Sequence, residues 1–251
     1  MKGSSVGTRV APARSLPMRV LRQLMRLCLL VMLCALALQL CFMARIALMR
    51  WVDPASSTFQ RTQALRILAQ HKRLPWSQEW VNLGEISPQL QRAVIASEDA
   101  PFTQHKGLDW DAIQKARQRN DQRSAAGKRL MGGSTITQQL SKNLFLSGER
   151  TVLRKSQEAL IALQMELLLN KPRILEIYLN TVEWGEGVYG AQAASAHYFR
   201  IPAQQLNATQ AAQLAVMLPA PRRFEKNPYS PYLMERAETI AARMPLVALP
   251  R

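Results

Sequence analysis

Residues 92–107 read Arg92-Ala-Val-Ile-Ala-Ser-Glu-Asp-Ala-Pro-Phe-Thr-Gln-His105-Lys-Gly107. Here an apolar helical stretch ends at the acidic pair Glu98-Asp99, and Pro101 forces a turn. The helix dipole disfavours negative charge at a helix C-terminus, which raises the pKa of a carboxyl there. Glu98 is therefore predicted to be a general base, since such a base works best with a pKa near the operating pH. The alternative is a solvated helix end.

The surrounding sequence predicts a mainly α fold. Ser87 and Pro88 suit the N-cap and first position of the helix that ends at the acidic pair, and later segments repeat the helical pattern. Strand-like alternation is scarce. Further helices are expected over 151–170, 172–179, 192–199, 209–217 and 231–244. Asn207 and Gln210 are placed for a reciprocal cap at the start of the helix over 209–217. The Lys-, Arg-, Gln-, Ser- and Ala-rich stretch 114–131 is predicted to be a mobile basic loop.

A second motif, Gly132-Gly-Ser-Thr-Ile-Thr-Gln-Gln-Leu-Ser-Lys-Asn143, starts a helix after two glycines. Ser134 or Thr135 suits its N-cap. Unpaired backbone N–H groups at such a start form a natural cradle for phosphate, and Lys142 adds positive charge two turns along. An ordinary N-cap explains the same residues. The Gly-Lys-Ser/Thr ending of a nucleotide-binding P-loop is missing.

A third group consists of Arg150, Arg154 and Glu158, which are spaced by four and share one helix face. Two cations beside a carboxylate suit a pyrophosphate, and they make Glu158 a second candidate functional carboxylate. A salt-bridged outer face explains this spacing equally. His105 has no partner at metal-ligand spacing, so it is predicted to orient or pack.

The N-terminal region carries a candidate membrane helix. Leu27 to Ala44 contain one strongly polar residue, Gln39, together with all three cysteines of the chain. The segment before this stretch is rich in arginine. This excess of positive charge predicts that the N-terminus lies in the cytoplasm and the rest of the chain outside. A cleaved signal peptide is the rival reading, but a clean small-x-small cleavage site is missing. A buried core helix is the other alternative.

The chain has a formal net charge of +16 over 251 residues, which favours anionic partners. Nucleic acid is not expected, because zinc-finger spacing and RNA-binding aromatic signatures are missing. The predicted organisation is a basic cytoplasmic tail (1–26), a membrane helix (27–49), a membrane-proximal connector (50–86), a main domain (87–230) and a C-terminal helix or tail (231–251). Trp76 and Trp80 in the connector fit either the membrane interface or packing against the domain.

Taken in order, these motifs resemble the peptidoglycan glycosyltransferase family shared with class A penicillin-binding proteins, and within it the monofunctional biosynthetic transglycosylases. The resemblance covers roughly residues 75–230 and rests on five motifs. They are Glu98-Asp-x-x-Phe102-x-x-His105-x-Gly107, the glycine motif from Gly132 to Asn143, Arg154-Lys-x-x-Glu158-Ala, Lys171-x-x-Ile174-Leu-Glu176-x-Tyr178-Leu-Asn180, and Trp184-Gly-x-Gly-Val-Tyr189-Gly190.

The resemblance implies a lysozyme-like domain on the outer face of the bacterial inner membrane. The donor would be a glycan chain on undecaprenyl pyrophosphate and the acceptor lipid II, with Glu98 as the base. The catalytic pair would be Glu98 and Glu158, with Glu158 acting through a divalent cation such as Mg²⁺ or Mn²⁺. The expected substrate- and pyrophosphate-binding residues are Asp99, Ser134, Thr135, Gln138, Lys142, Arg150 and Arg154.

The sequence leaves one basic residue, the partner proteins and two competing functions open. A family basic residue matches either Lys115 or Arg117, and partner proteins from cell-wall synthesis or division are an expectation only. Transpeptidase motifs are missing from the sequence, so no such activity is expected. The competing functions are a lytic transglycosylase or lysozyme-like enzyme, which needs no pyrophosphate cradle, and an anchored scaffold, which needs no intact Glu98 and Glu158.

Overall fold

The computed structural model describes residues 18–71, 75–125, 133–149 and 151–251. Two compact units are present, of which one ends at Phe42 and the other spans Met43–Arg251. Helix α1 (Met18–Leu48) is the one helix among the described residues that is long and apolar enough to cross a membrane. It starts earlier than the predicted 27–49, because arginine is a good helix former and the residues around Arg19 continue the apolar pattern.

The second unit is mainly α, as predicted. Its elements are α2 (Thr58–His71), β1 (Ser77–Gln78), α3 (Pro88–Glu98), α4 (Trp110–Ala125), α5 (Ile136–Phe145), α6 (Val152–Leu168), α7 (Lys171–Thr181), β2 (Glu183–Gly185), β3 (Val188–Tyr189), α8 (Ala191–Phe199), α9 (Ala208–Met217), α10 (Pro221–Phe224) and α11 (Pro231–Arg243), with short 3₁₀ turns at Leu83–Glu85, Ala203–Gln205 and Met244–Leu246.

Two helix groups form the core, and α3 and α5 carry the site residues into it. Helix α3 packs against α9 and α11, while α5 packs against α2, α6 and α7. Both helices present an apolar stripe at helical spacing, as the sequence predicts. The fully or almost fully buried members of these stripes are Leu90, Val94, Ile95, Ile136, Leu140 and Leu144.

Side-chain caps fix where these helices begin. The Ser87 hydroxyl accepts a hydrogen bond from Gln89 N at 3.2 Å, with Pro88 as the first helical residue. The predicted reciprocal cap of Asn207 and Gln210 at the start of α9 is present. The helix starts predicted from the sequence are thus confirmed here.

The prediction of a loop over 114–131 is wrong for its described part, because α4 runs from Trp110 to Ala125. Alanine, glutamine, lysine and arginine are strong helix formers, and a polar composition indicates an exposed helix as readily as a loop. Residues 126–132 lie outside the described residues.

The predicted boundary at residue 87 is not a boundary of the compact unit, which begins at Met43. Strand β1 of the connector pairs in parallel with β3, and β3 pairs antiparallel with β2. Trp76 stacks on Tyr189 with ring centroids 4.5 Å apart, so this tryptophan packs against the domain. Gly187 makes the β2–β3 turn at φ +78°, where a Cβ would lie 1.9 Å from Pro75 O. The connector is therefore a structural part of this unit. Helix α11 also belongs to it, since it packs against α3 and α9.

Candidate active site

Glu98 is the last residue of α3 and is partly buried. Its Oε2 accepts a hydrogen bond from Gln139 Nε2 at 2.9 Å, and its Oε1 accepts a longer one from Ser97 Oγ at 3.4 Å. Gln139 lies in the first turn of α5, so this hydrogen bond joins the end of α3 to the start of α5. Sequence reasoning missed Gln139, because its contact joins residues 41 positions apart.

The environment of Glu98 makes it a suitable base. Burial raises the pKa of the Glu98 carboxyl above its ordinary value of 4.5, and the negative charge of Asp99 acts in the same direction. The hydrogen bonds from Gln139 and Ser97 and the positive charge of Lys142 lower the pKa in part. The predicted direction of the pKa shift is confirmed, and desolvation is its largest cause.

Asp99 has a structural role, and its contact with substrate stays a prediction. Its side chain is buried, and its two oxygens contact His105 Nε2 at 2.9 and 3.1 Å. Its Oδ2 also accepts from Ile136 N at 2.9 Å, at the start of α5. A carboxylate here satisfies an unpaired N–H and complements the helix dipole. His105 orients Asp99, as predicted for an orienting residue.

Thr135 and Gln138 form a capping box at the start of α5. Thr135 Oγ1 accepts from Gln138 N at 3.1 Å, and Gln138 Oε1 accepts from Thr135 N at 3.1 Å. The Thr135 hydroxyl also donates to Gly107 O at 2.6 Å, which joins the first two motifs. Gln138 is buried in this role, and its predicted contact with substrate stays a prediction. In the sequence, the Thr-x-x-Gln spacing is the feature that indicates this capping box.

Glu158 lies in α6 between two cations. Its Oε2 accepts from Arg154 Nη1 at 2.7 Å, and its Oε1 accepts from Lys155 Nζ. The Lys155 ammonium also donates to Ser134 Oγ at 2.8 Å, so this lysine connects α6 to the residue before the α5 cap. The predicted Arg154–Glu158 pairing is confirmed. Lys155 was not among the predicted site residues, although it stands one position from the four-residue spacing that predicted the cluster.

Two cavities surround these groups. One has a volume of about 560 Å³, and its lining includes Gln139. Five further lining residues are called the cationic cradle below: Ser134, Lys142, Arg154, Lys155 and Glu158. The other, of about 220 Å³, is lined by Glu98, Asp99, Arg119, Ser134 and Thr135 among others. Ser134 borders both cavities, so the base and the cradle face neighbouring spaces.

The predicted basic residues have different outcomes. Lys142 lies where its charge acts on Glu98 and also lines the cradle. Arg150 lies outside the described residues. The choice between Lys115 and Arg117 is not decided, and the neighbouring Arg119 is the α4 cation that lines the Glu98 cavity. Substrate contacts of all these residues stay predictions.

The donor set at Glu158 does not fit a divalent cation as arranged, because both carboxylate oxygens are paired with cationic side chains. Within the described ranges, no cluster of three His, Cys, Asp or Glu side chains suits a metal ion. Glu166 is likewise engaged, since it accepts from Thr137 Oγ1 at 2.6 Å and from Lys171 Nζ at 2.8 Å. The requirement for a divalent cation therefore stays a prediction.

Most of the chain is similar to known proteins of one family. Residues 66–245 match the model of the transglycosylase family. A biosynthetic peptidoglycan transglycosylase of Burkholderia thailandensis is 52% identical over 215 residues, which are 86% of this chain and 83% of the relative. Relatives of the same name from Laribacter hongkongensis and Janthinobacterium sp. are 46% and 47% identical, and cover 84% and 93% of this chain and 92% and 100% of their own lengths.

Proposed function

The chain belongs to the transglycosylase family, and from that premise we propose that it polymerises the glycan strands of peptidoglycan. The acceptor is lipid II, and the donor is a glycan chain on undecaprenyl pyrophosphate. The observation that carries the proposal is the placement of one raised-pKa carboxylate, Glu98, beside a cationic cradle that borders the same Ser134.

In the proposed step Glu98 removes the proton from the 4-hydroxyl of lipid II. The hydroxyl oxygen then attacks the anomeric carbon of the donor, and a β-1,4 bond forms with inversion. The bond from that carbon to the pyrophosphate oxygen breaks, and its electron pair leaves with undecaprenyl pyrophosphate. Lys142, Arg154 and Lys155 stabilise the negative charge that develops on the leaving group.

We propose that the enzyme works at the outer face of the bacterial inner membrane, where its lipid-linked substrates lie. Helix α1 is compatible with a single-pass anchor, and the arginines at its start favour a cytoplasmic N-terminus. On α6, leucines at helical spacing are exposed on one face. These are Leu153, Leu160, Leu163 and Leu167. A lipid surface suits such a face, while binding of cell-wall synthesis or division proteins stays a prediction.

A lytic, glycan-cleaving enzyme is the alternative. Such an enzyme also needs a carboxylic acid, but its substrate carries no pyrophosphate for the cationic cradle to hold. The biosynthetic relatives, which cover most of this chain, also favour the polymerase.

The test is incubation of the purified full-length chain with labelled lipid II, with and without a divalent cation, beside its Glu98→Gln variant. We expect glycan polymer on a gel from the wild type only. In parallel, preformed peptidoglycan is supplied as the substrate. Release of muropeptides from it, without polymer from lipid II, would replace the proposal by the lytic alternative.

A further inference from the structure

A line of three side chains runs from the core to Glu98. Tyr178 on α7 is fully buried, and its hydroxyl donates to Gln139 Oε1 at 3.0 Å. Gln139 in turn donates from Nε2 to Glu98 Oε2 at 2.9 Å. An ionised carboxylate accepts only, so Glu98 selects the NH₂ end of the amide, while the phenol hydroxyl satisfies its oxygen.

We propose that Tyr178 is a positioning residue for Glu98, which fixes the amide of Gln139 so that Glu98 Oε2 is held and Oε1 receives the proton of the acceptor. The inference rests on the proposed polymerase function and assigns an atom to its proton-transfer step. Tyr178 acts through Gln139 and does not itself touch the reacting atoms.

The two carboxylate oxygens differ in their partners. Oε2 has the short bond from Gln139, whereas the Ser97 hydroxyl lies 3.4 Å from Oε1. A long bond of this kind is weak, so Oε1 is the oxygen of Glu98 that a substrate hydroxyl displaces most readily. The rigid partner on the other oxygen prevents the carboxylate from rotating during this exchange.

Packing holds the Tyr178 side chain in place, so its hydroxyl can fix the orientation of the Gln139 amide. Helix α7 packs on α5, and Tyr178 has no solvent-exposed surface. Without its hydroxyl, the Gln139 amide is free to rotate and to turn its own oxygen toward Glu98. That arrangement disfavours the carboxylate form, which is the form that accepts the proton.

Other groups around Glu98 also influence its titration. The described charged or titratable groups that face it or its cavity are Asp99, Asp109, Arg119, Lys142 and Tyr178. A Tyr178→Phe substitution leaves the charges of the other four in place, and the ring still fills its buried site. A change in the pH dependence of the rate would therefore report on the lost hydroxyl.

The experiment measures polymerisation of lipid II against pH for the full-length wild type, Tyr178→Phe, Gln139→Leu and the double variant. We expect Tyr178→Phe to lower kcat about tenfold with little change in KM, and to move the acid limb of the profile up by about one pH unit. Gln139→Leu should produce at least this effect, and the double variant should be no worse than Gln139→Leu alone, since the residues act in series.

The matched control is Tyr198→Phe, which removes a hydroxyl that donates to Trp184 O at 2.9 Å and lines neither cavity. Its acid limb should remain at the wild-type position. An unchanged acid limb in Tyr178→Phe would overturn the inference while the polymerase function stands. A wild type that makes no polymer would instead overturn the proposed function. If Tyr178→Phe does not fold, judged by circular dichroism, Gln139→Leu decides alone.

Discussion

Glu98 and Glu158 are the same side chain in opposite surroundings. Glu98 ends α3 and receives hydrogen bonds from neutral donors, Gln139 and Ser97. Glu158 lies within α6 and pairs with the guanidinium of Arg154 and the ammonium of Lys155. Neutral partners in a partly buried site suit a carboxylate that takes up and releases a proton. Paired cations suit one that arranges positive charge around an anionic leaving group.

The largest effect is expected from removing the base. Glu98→Gln should lower polymerisation by about 10²- to 10⁴-fold, because the amide cannot accept the proton of the acceptor. The fold should persist, since an amide of the same shape replaces a carboxylate whose burial disfavours its charge. Gel analysis of the polymer measures the polymerisation rate, and thermal unfolding at neutral pH measures the stability of the fold. A polymerisation rate near that of the wild type would end the assignment of Glu98.

Removing the anion of the cationic cradle should have a smaller effect. Glu158→Gln leaves Arg154 and Lys155 without their shared carboxylate, so the cations are no longer held toward the cavity. We expect polymerisation to fall about 10- to 100-fold and the free energy of unfolding to fall by about 1–3 kcal/mol. The exposed Glu238→Gln on α11 is the matched control and should change neither quantity. Equal behaviour of the two variants would mean that Glu158 does not hold the cations in place for polymerisation.

Lys142 belongs to the cationic cradle, and its charge also acts on Glu98. The effect of this charge can be measured in the pH dependence of the rate. Its positive charge lowers the pKa of Glu98 from the value that burial alone would give. Lys142→Met should therefore move the acid limb of the rate profile upward by about half a pH unit, since a higher pKa means that Glu98 is protonated at higher pH. Lys142→Arg keeps the charge and should keep the limb near its wild-type position. A downward shift in the methionine variant would contradict this link.

The smallest effect on both regions is expected from removing the N-terminal unit. A chain of Met43–Arg251 should fold and keep its activity on detergent-dispersed lipid II within a few-fold, because both glutamates belong to this unit. Starting at Trp51 instead removes Ile46 and Met49, which are 0% and 6% exposed. That further loss should lower the free energy of unfolding by about 2–5 kcal/mol. Equal thermal stability of the two chains would show that these side chains do not contribute to the core.

Local chemistry predicted much of this molecule. The helical period of Leu90, Val94 and Ile95 and the caps at Ser87 and Asn207 are properties of neighbouring residues, and they are confirmed in α3 and α9. The polar composition of 114–131 predicts a loop, but its described part is helical, because alanine, glutamine, lysine and arginine have high helix propensity.

Contacts between elements could not be predicted in the same way. Gln138 and Gln139 are adjacent, so their side chains point about 100° apart on α5, and only the placement of α5 relative to the end of α3 decides which one reaches Glu98. The structural role of Asp99 could not be predicted, because its bond to Ile136 N joins residues 37 positions apart in the chain. Lys155 gains its position from Ser134 on another element.

The most direct test of the difference between Glu98 and Glu158 is the pH–rate profile of lipid II polymerisation by the full-length wild type and by Glu158→Gln. The wild-type rate should fall as the pH drops through the raised pKa of Glu98. Glu158→Gln should show a lower plateau with the same acid limb, because the titrating base is unchanged. Disappearance of the acid limb in Glu158→Gln would mean that Glu158 is the titrating base, and it would contradict the assignment of Glu98.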